Sequence, residues 1–161
     1  MGKALMGEGE FTLIRQHLEA ATHLSLSWVG DHDVYAALTD AASREGDETA
    51  IRQYVPLAEE LATRYGHTLY QAIAYRAWGV AHRLASEYAE AEARLNQALD
   101  LFSGLNTRWQ MGRTLFELGE LAAARTNTAK ARDYFTRALA AFEAMRAAPD
   151  VARTRAAIER L

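Results

Sequence analysis

Gly79-Val80-Ala81-His82-Arg83-Leu84-Ala85-Ser86-Glu87-Tyr88-Ala89-Glu90-Ala91-Glu92-Ala93-Arg94-Leu95-Asn96-Gln97-Ala98 decides the fold, because its skeleton returns forty residues later. Gly79-x11-Ala91-x3-Leu95-x2-Ala98 is answered by Gly119-x11-Ala131-x3-Phe135-x2-Ala138. One period upstream the same register reads Thr39, Ile51, Val55 and Ala58. Earlier still, with a connection about three residues shorter, it reads Gly2, Ile14, Leu18 and Ala21. A fixed period of this size marks a solenoid, which buries its core by stacking like units that cannot bury it alone.

Each period carries two apolar stripes in steps of three and four, the spacing of one helix face. In the third unit they are Leu115, Leu118, Gly119, Ala122 and then Ala131, Phe135, Ala138, Leu139, Phe142. Polar breaks at Gly9-Glu10, Gly46-Asp47, Ser86-Glu87 and Thr126-Asn127 separate the two helices, A and B. The reading is all-α: a right-handed superhelical solenoid of antiparallel hairpins forming a single array over 1–161. A truncated first hairpin covers 1–24, full hairpins cover 28–65, 68–104 and 107–146, and a capping helix covers 150–161. Within the hairpins, helices are predicted near 28–45, 48–65, 68–85, 88–104, 107–125 and 128–146. Pro56 lies inside one of them, where a lost backbone donor predicts a kink. Glycine or alanine at 79, 91, 98, 119, 131 and 138 lets neighbouring axes approach, and Trp78, Leu95, Leu118 and Phe135 fill the space between.

Composition excludes several functions. Net charge is −3, so no basic excess exists to neutralise a phosphate backbone, and nucleic-acid binding is not expected. No apolar run reaches the ~18 residues of a membrane span. Without cysteine there is no disulfide, thiolate metal site or cysteine nucleophile. The first residues turn acidic at Glu8 and Glu10, unlike a secretory leader, and a cytoplasmic location is the plain expectation. Sixteen arginines against two lysines suit a GC-rich bacterial gene.

The chain resembles the tetratricopeptide repeat family. Tyr75, Trp78-Gly79, Glu87-Tyr88, Ala91, Leu95 and Ala98 follow the pattern, as do Leu115, Leu118-Gly119, Ala131, Phe135 and Ala138. Gly9-Glu10-Phe11 matches the turn between the helices. The period is forty where the family usually has thirty-four, which is similar to the extended repeats of bacterial regulators and signalling ATPases. Thr39 stands where the hairpin of 28–65 wants glycine, so that hairpin is expected to be splayed or weaker.

The resemblance implies a protein-interaction module, with no catalytic role, that takes a peptide or partner helix in a concave groove lined by helices A. By register that face presents Asp33, Asp40, Arg44, Arg76, Val80, Arg83, Arg113, Phe116 and Glu120. An acidic start, a basic centre and apolar footholds at Val80 and Phe116 suit a partner of mixed charge. The opposing reading is a solvated face with internal pairs such as Arg113 with Glu117. A chaperone-type carboxylate clamp is not expected, because its slots hold Ala36, Asp40, Ala77, Arg113 and Glu117, and only Arg113 is of the right kind.

Two other functions remain open at this point. One is a ligand-sensing arm binding a small molecule or signalling peptide, with the arginines near Phe116 as its candidates. The other is an architectural homodimer joined through the truncated first hairpin, whose helix B would otherwise expose Ile14, Leu18 and Ala21. No cofactor or metal is expected: Asp31-His32-Asp33 suits a helix N-terminus without any ligand. His82 reads as a satisfied core histidine, and Trp28, Trp78 and Trp109 as core. Glu117 and Glu120 lie one turn apart, but no wider catalytic constellation accompanies them.

Overall fold

Reversals set twenty residues apart build the architecture. Positive φ angles occur at Gly46, Gly66, Ser86, Asn106, Thr126 and Arg146. At each, the next residue donates its N–H to the carbonyl five residues back: Asp47 to Ala42, His67 to Ala62, Glu87 to His82, Thr107 to Phe102, Asn127 to Ala122 and Ala147 to Phe142. This left-handed cap satisfies carbonyls that the helix end would leave open. Glycine meets the requirement at 46 and 66 without strain. The later units meet it with side chains, of which β-branched Thr126 is the least suited.

The computed structural model describes residues 31–161 together with Gln16 and Ala20. The expectations for the first hairpin and for Trp28 lie outside the described residues. The helices are α1 (Asp31–Glu45), α2 (Glu48–Tyr65), α3 (Thr68–Leu84), α4 (Tyr88–Gly104), α5 (Arg108–Ala124), α6 (Thr128–Ala144) and α7 (Ala148–Glu159). Asp47 and Asn127 start α2 and α6 by accepting the N–H of Ala50 and Lys130 on their side chains. The α2 helix runs through Pro56.

Successive helices pack antiparallel, and α1, α3 and α5 also touch one another in turn. These A helices therefore form the inner layer, and the B helices α2, α4 and α6 spread on the outside. The tight points are those the repeat predicts. A Cβ on Gly79 would stand 2.5 Å from Leu95 Cγ, and one on Gly119 would stand 2.5 Å from Phe135 Cε1. Gly112 is a further close approach, with Phe142 Cε1 at 2.9 Å from such a Cβ. Around these contacts Phe102, Phe135 and Phe142 are fully buried. Truncating any of them to alanine costs about 3–5 kcal/mol.

Thr39 sits in the register position of Gly79 and Gly119. It is fully buried, and its Oγ1 finds no hydrogen-bond partner. The α1/α2 hairpin thus replaces close approach with a stranded hydroxyl.

Candidate functional site

The charged residues of the A helices are fastened to one another. Asp40 of α1 receives Arg76 Nη2 of α3 at 2.8 Å and Arg113 Nη1 of α5 at 2.7 Å, one on each carboxylate oxygen. Arg76 also donates to the Gln110 side chain at 2.7 Å, and its guanidinium lies 5.0 Å from the Phe102 ring centre. Further along, Glu117 is shared by Arg83 at 3.2 Å and Arg153 of α7 at 3.8 Å. Asp150 of α7 takes Arg44 and the Trp109 indole N–H, each at 2.9 Å. Glu120 pairs with Arg160 at 3.1 Å.

Burial gives this network its electrostatic character. Burial alone would raise the Asp40 carboxyl, but Arg113 and then Arg76 outweigh it and hold it well below the usual carboxylate range. Arg76 is pushed down to about 10, first by burial and then by the charge of Arg113, against the pull of Asp40. Arg44 is lowered by burial and again by Arg113. Cations are crowded here, and each shared carboxylate restrains two of them.

This arrangement alters several expectations. Val80 is 0% exposed and Phe116 4%, so neither is an apolar foothold. Val80 is part of the core between α1, α2 and α3. Phe116 packs on Phe135 and is roofed by the Arg153 guanidinium, 4.2 Å from its ring centre. Arg76 and Arg113 are buried. The pair Arg113 with Glu117 does not form; each reaches instead to another helix. Asp33 is exposed and accepts the Tyr70 hydroxyl, away from the arginines.

Sequence reasoning missed Trp109, Asp150 and Arg153. Trp109 reads as core in the sequence but is 36% exposed, with Arg113 and Arg44 at 4.8 and 5.7 Å from its ring centre. The one available signal was register: Trp109, Arg113 and Phe116 fall on one face of α5. The crevice between α5 and α7, the place considered for a small ligand near Phe116, holds only about 10 Å³. That is no more than a water's room.

Other candidates resolve into local contacts. His32 stacks on His67 with ring centres 4.6 Å apart. Among the described residues, no group of three His, Asp or Glu side chains is placed to hold a metal ion. His82 stacks on Trp78 and meets Glu87 at 2.5 Å, a half-buried position on the outer side of the hairpin turn.

Residues 70–144 match the family model of the tetratricopeptide repeat. The hairpins of this segment are tetratricopeptide repeats. Among solved structures, BtubC (BKLC) from P. vanneervenii is similar in fold, with a TM-score of 0.59 and 20% sequence identity over 95% of this chain and 72% of that one. No curated protein matches the sequence. Tetratricopeptide repeats generally mediate protein–protein interaction. Among the described residues, no helix is long and apolar enough to cross a membrane.

Proposed function

We propose that this chain is a non-enzymatic interaction module whose inner face receives a carboxylate-rich peptide or partner helix. One observation carries the reading: two carboxylates, Asp40 and Glu117, are shared among four guanidiniums, those of Arg76, Arg83, Arg113 and Arg153. The face holds positive charge in excess of its own acids, and a partner's carboxylates would complete the coordination. The buried pair Arg76 and Arg113 holds the helices together. The approachable pair is Arg83 and Arg153, the latter 42% exposed. A bacterial regulatory protein in the cytoplasm is the setting we favour, on the repeat length and the arginine-rich composition.

The test titrates a labelled polyglutamate peptide, alongside capture from lysate, onto wild type and an Arg83→Gln, Arg153→Gln variant. Glutamine keeps much of the stem packing and removes the charge. The reading requires a loss of roughly tenfold in affinity, and weaker binding as salt is raised. Equal binding by both proteins overturns it. Charge reversal at Arg76 or Arg113 is unsuitable, because it would place like charges beside buried Asp40.

A further inference from the structure

The third repeat has an opening on its outer edge where the second repeat has a pair of rings. The cavity holds about 250 Å³ and is lined by Glu92, Leu118, Leu121, Ala122, Arg125, Asn127, Lys130 and Tyr134. It lies where α4 meets the turn between α5 and α6. The forty-residue register maps Leu118 onto Trp78 and Ala122 onto His82. Matching close approaches support that mapping, since a Cβ on Gly79 would meet Leu95 at 2.5 Å and one on Gly119 would meet Phe135 at the same distance.

In the second repeat these positions are occupied by large side chains. The Trp78 indole stacks on the His82 imidazole, with ring centres 5.7 Å apart and planes inclined by 25°. The indole N–H donates to Glu59 at 2.7 Å, and the imidazole meets Glu87. Replacing indole by isobutyl and imidazole by methyl removes both rings from the equivalent slot of the third repeat. Helix bounds and left-handed turns fall at equivalent positions in the two hairpins. A cavity of ~150 Å³ is enough for benzene, so this one has room for a ring with a substituent.

Charge at the rim is also changed. In the second repeat Arg52 of α2 reaches Glu87 at the turn. In the third, Glu92 of α4 meets Arg125 and Lys130, each at 2.7 Å, so the polarity is reversed and a second cation is added. Two cations against one carboxylate leave a single positive charge over a base of Leu118, Leu121 and Ala122, which are nearly buried, so that most of the lining solvent reaches is polar. Tyr134 forms a wall, with Lys130 Nζ 5.8 Å from its ring centre. The Tyr134 face suits a flat ring, and the rim of Arg125 and Lys130 suits one negative charge on it.

We propose that the cavity between α4, α5 and α6 is a binding site for a small aromatic monocarboxylate, whose ring takes the volume filled by Trp78 and His82 one repeat earlier. The carboxylate is held at Arg125 and Lys130. This site is separate from the inner face and does not depend on the partner proposed for it.

Indole-3-acetate is the probe, with indole and acetate as its separated halves. Methyl resonances of Leu118, Leu121 and Ala122 report occupancy. The expected result is a saturable shift confined to these methyls, with a dissociation constant below about 1 mM and each half weaker by roughly tenfold. A Leu118→Trp, Ala122→His variant rebuilds the earlier pair of rings and loses the shift. Ala122→Leu is a milder filling, used if the double variant loses helicity, and it also abolishes binding. Lys130→Gln, at an exposed site, weakens indole-3-acetate but leaves indole unchanged. No saturable shift at several times that concentration overturns the proposal. So does binding that persists in the filled variants, and indole binding as tightly as indole-3-acetate refutes the carboxylate assignment.

Discussion

The α3/α4 and α5/α6 hairpins share one backbone and differ in what fills it. Both begin and end seventeen-residue helices at equivalent positions, turn through a left-handed residue, and bring a glycine against the partner helix. Yet one closes its outer slot with stacked rings and the other leaves it open, and the ion pairs across the slot are reversed. The glycine contacts and the turns are what the two hairpins have in common. Positions outside that skeleton are free to diverge, and a site specific to one repeat arises there.

Asp40 fastens the two hairpins to one another, and breaking it should have the largest effect. Asp40→Asn leaves Arg76 and Arg113 buried without the carboxylate they share, at an expected cost of about 3–5 kcal/mol in urea unfolding. The same carboxyl predicts acid sensitivity. Its folded pKa is depressed, so its contribution is complete above the unfolded value near pH ~4 and is lost as pH falls below that toward the folded value. In Asp40→Asn that part of the acid dependence should vanish; an unchanged profile would refute the assignment.

A smaller effect compares the hairpins at their closest point. Gly119→Ala drives a methyl into Phe135 Cε1 and Cδ1, 2.5 and 2.6 Å away, and the ring has no free end to swing aside. Overpacking of about 1–3 kcal/mol should exceed the gain of up to ~1 kcal/mol in helix propensity. Thermal melts should show Gly119→Ala below wild type; a rise would mean that the interface is looser than this geometry.

The smallest change runs the other way. Thr126 takes a φ of 58°, where a β-branched residue is strained, and Gly46 holds the equivalent turn two repeats earlier. Thr126→Gly should therefore stabilise by about 1 kcal/mol. The same change at Ser86, which is not β-branched, should gain less. Equal or opposite shifts in the two melts would break this ranking.

Much of this architecture was legible because it repeats. Gly79 and Gly119, with Leu95 and Phe135 sixteen residues on, are local signals whose meaning survives without tertiary information. Each helix end is likewise a local matter of turn and cap. The inner face was not legible in the same way. Register placed Arg76, Arg113 and Asp40 on the A helices, but Arg113 bonds a carboxylate 73 residues away, not Glu117 one turn on. Arg153, from the last helix, covers Phe116.

Sequence by itself determined the helices, their turns, their pairing into hairpins and the close contacts within them. These rest on interactions between residues a few turns apart, which a fixed period makes visible. Tertiary structure alone decided which arginines are buried, which carboxylates they share, and that Leu118 and Ala122 leave a cavity. Those outcomes depend on how successive hairpins curve over one another, which sums small rotations along the array and brings distant charges within bonding distance.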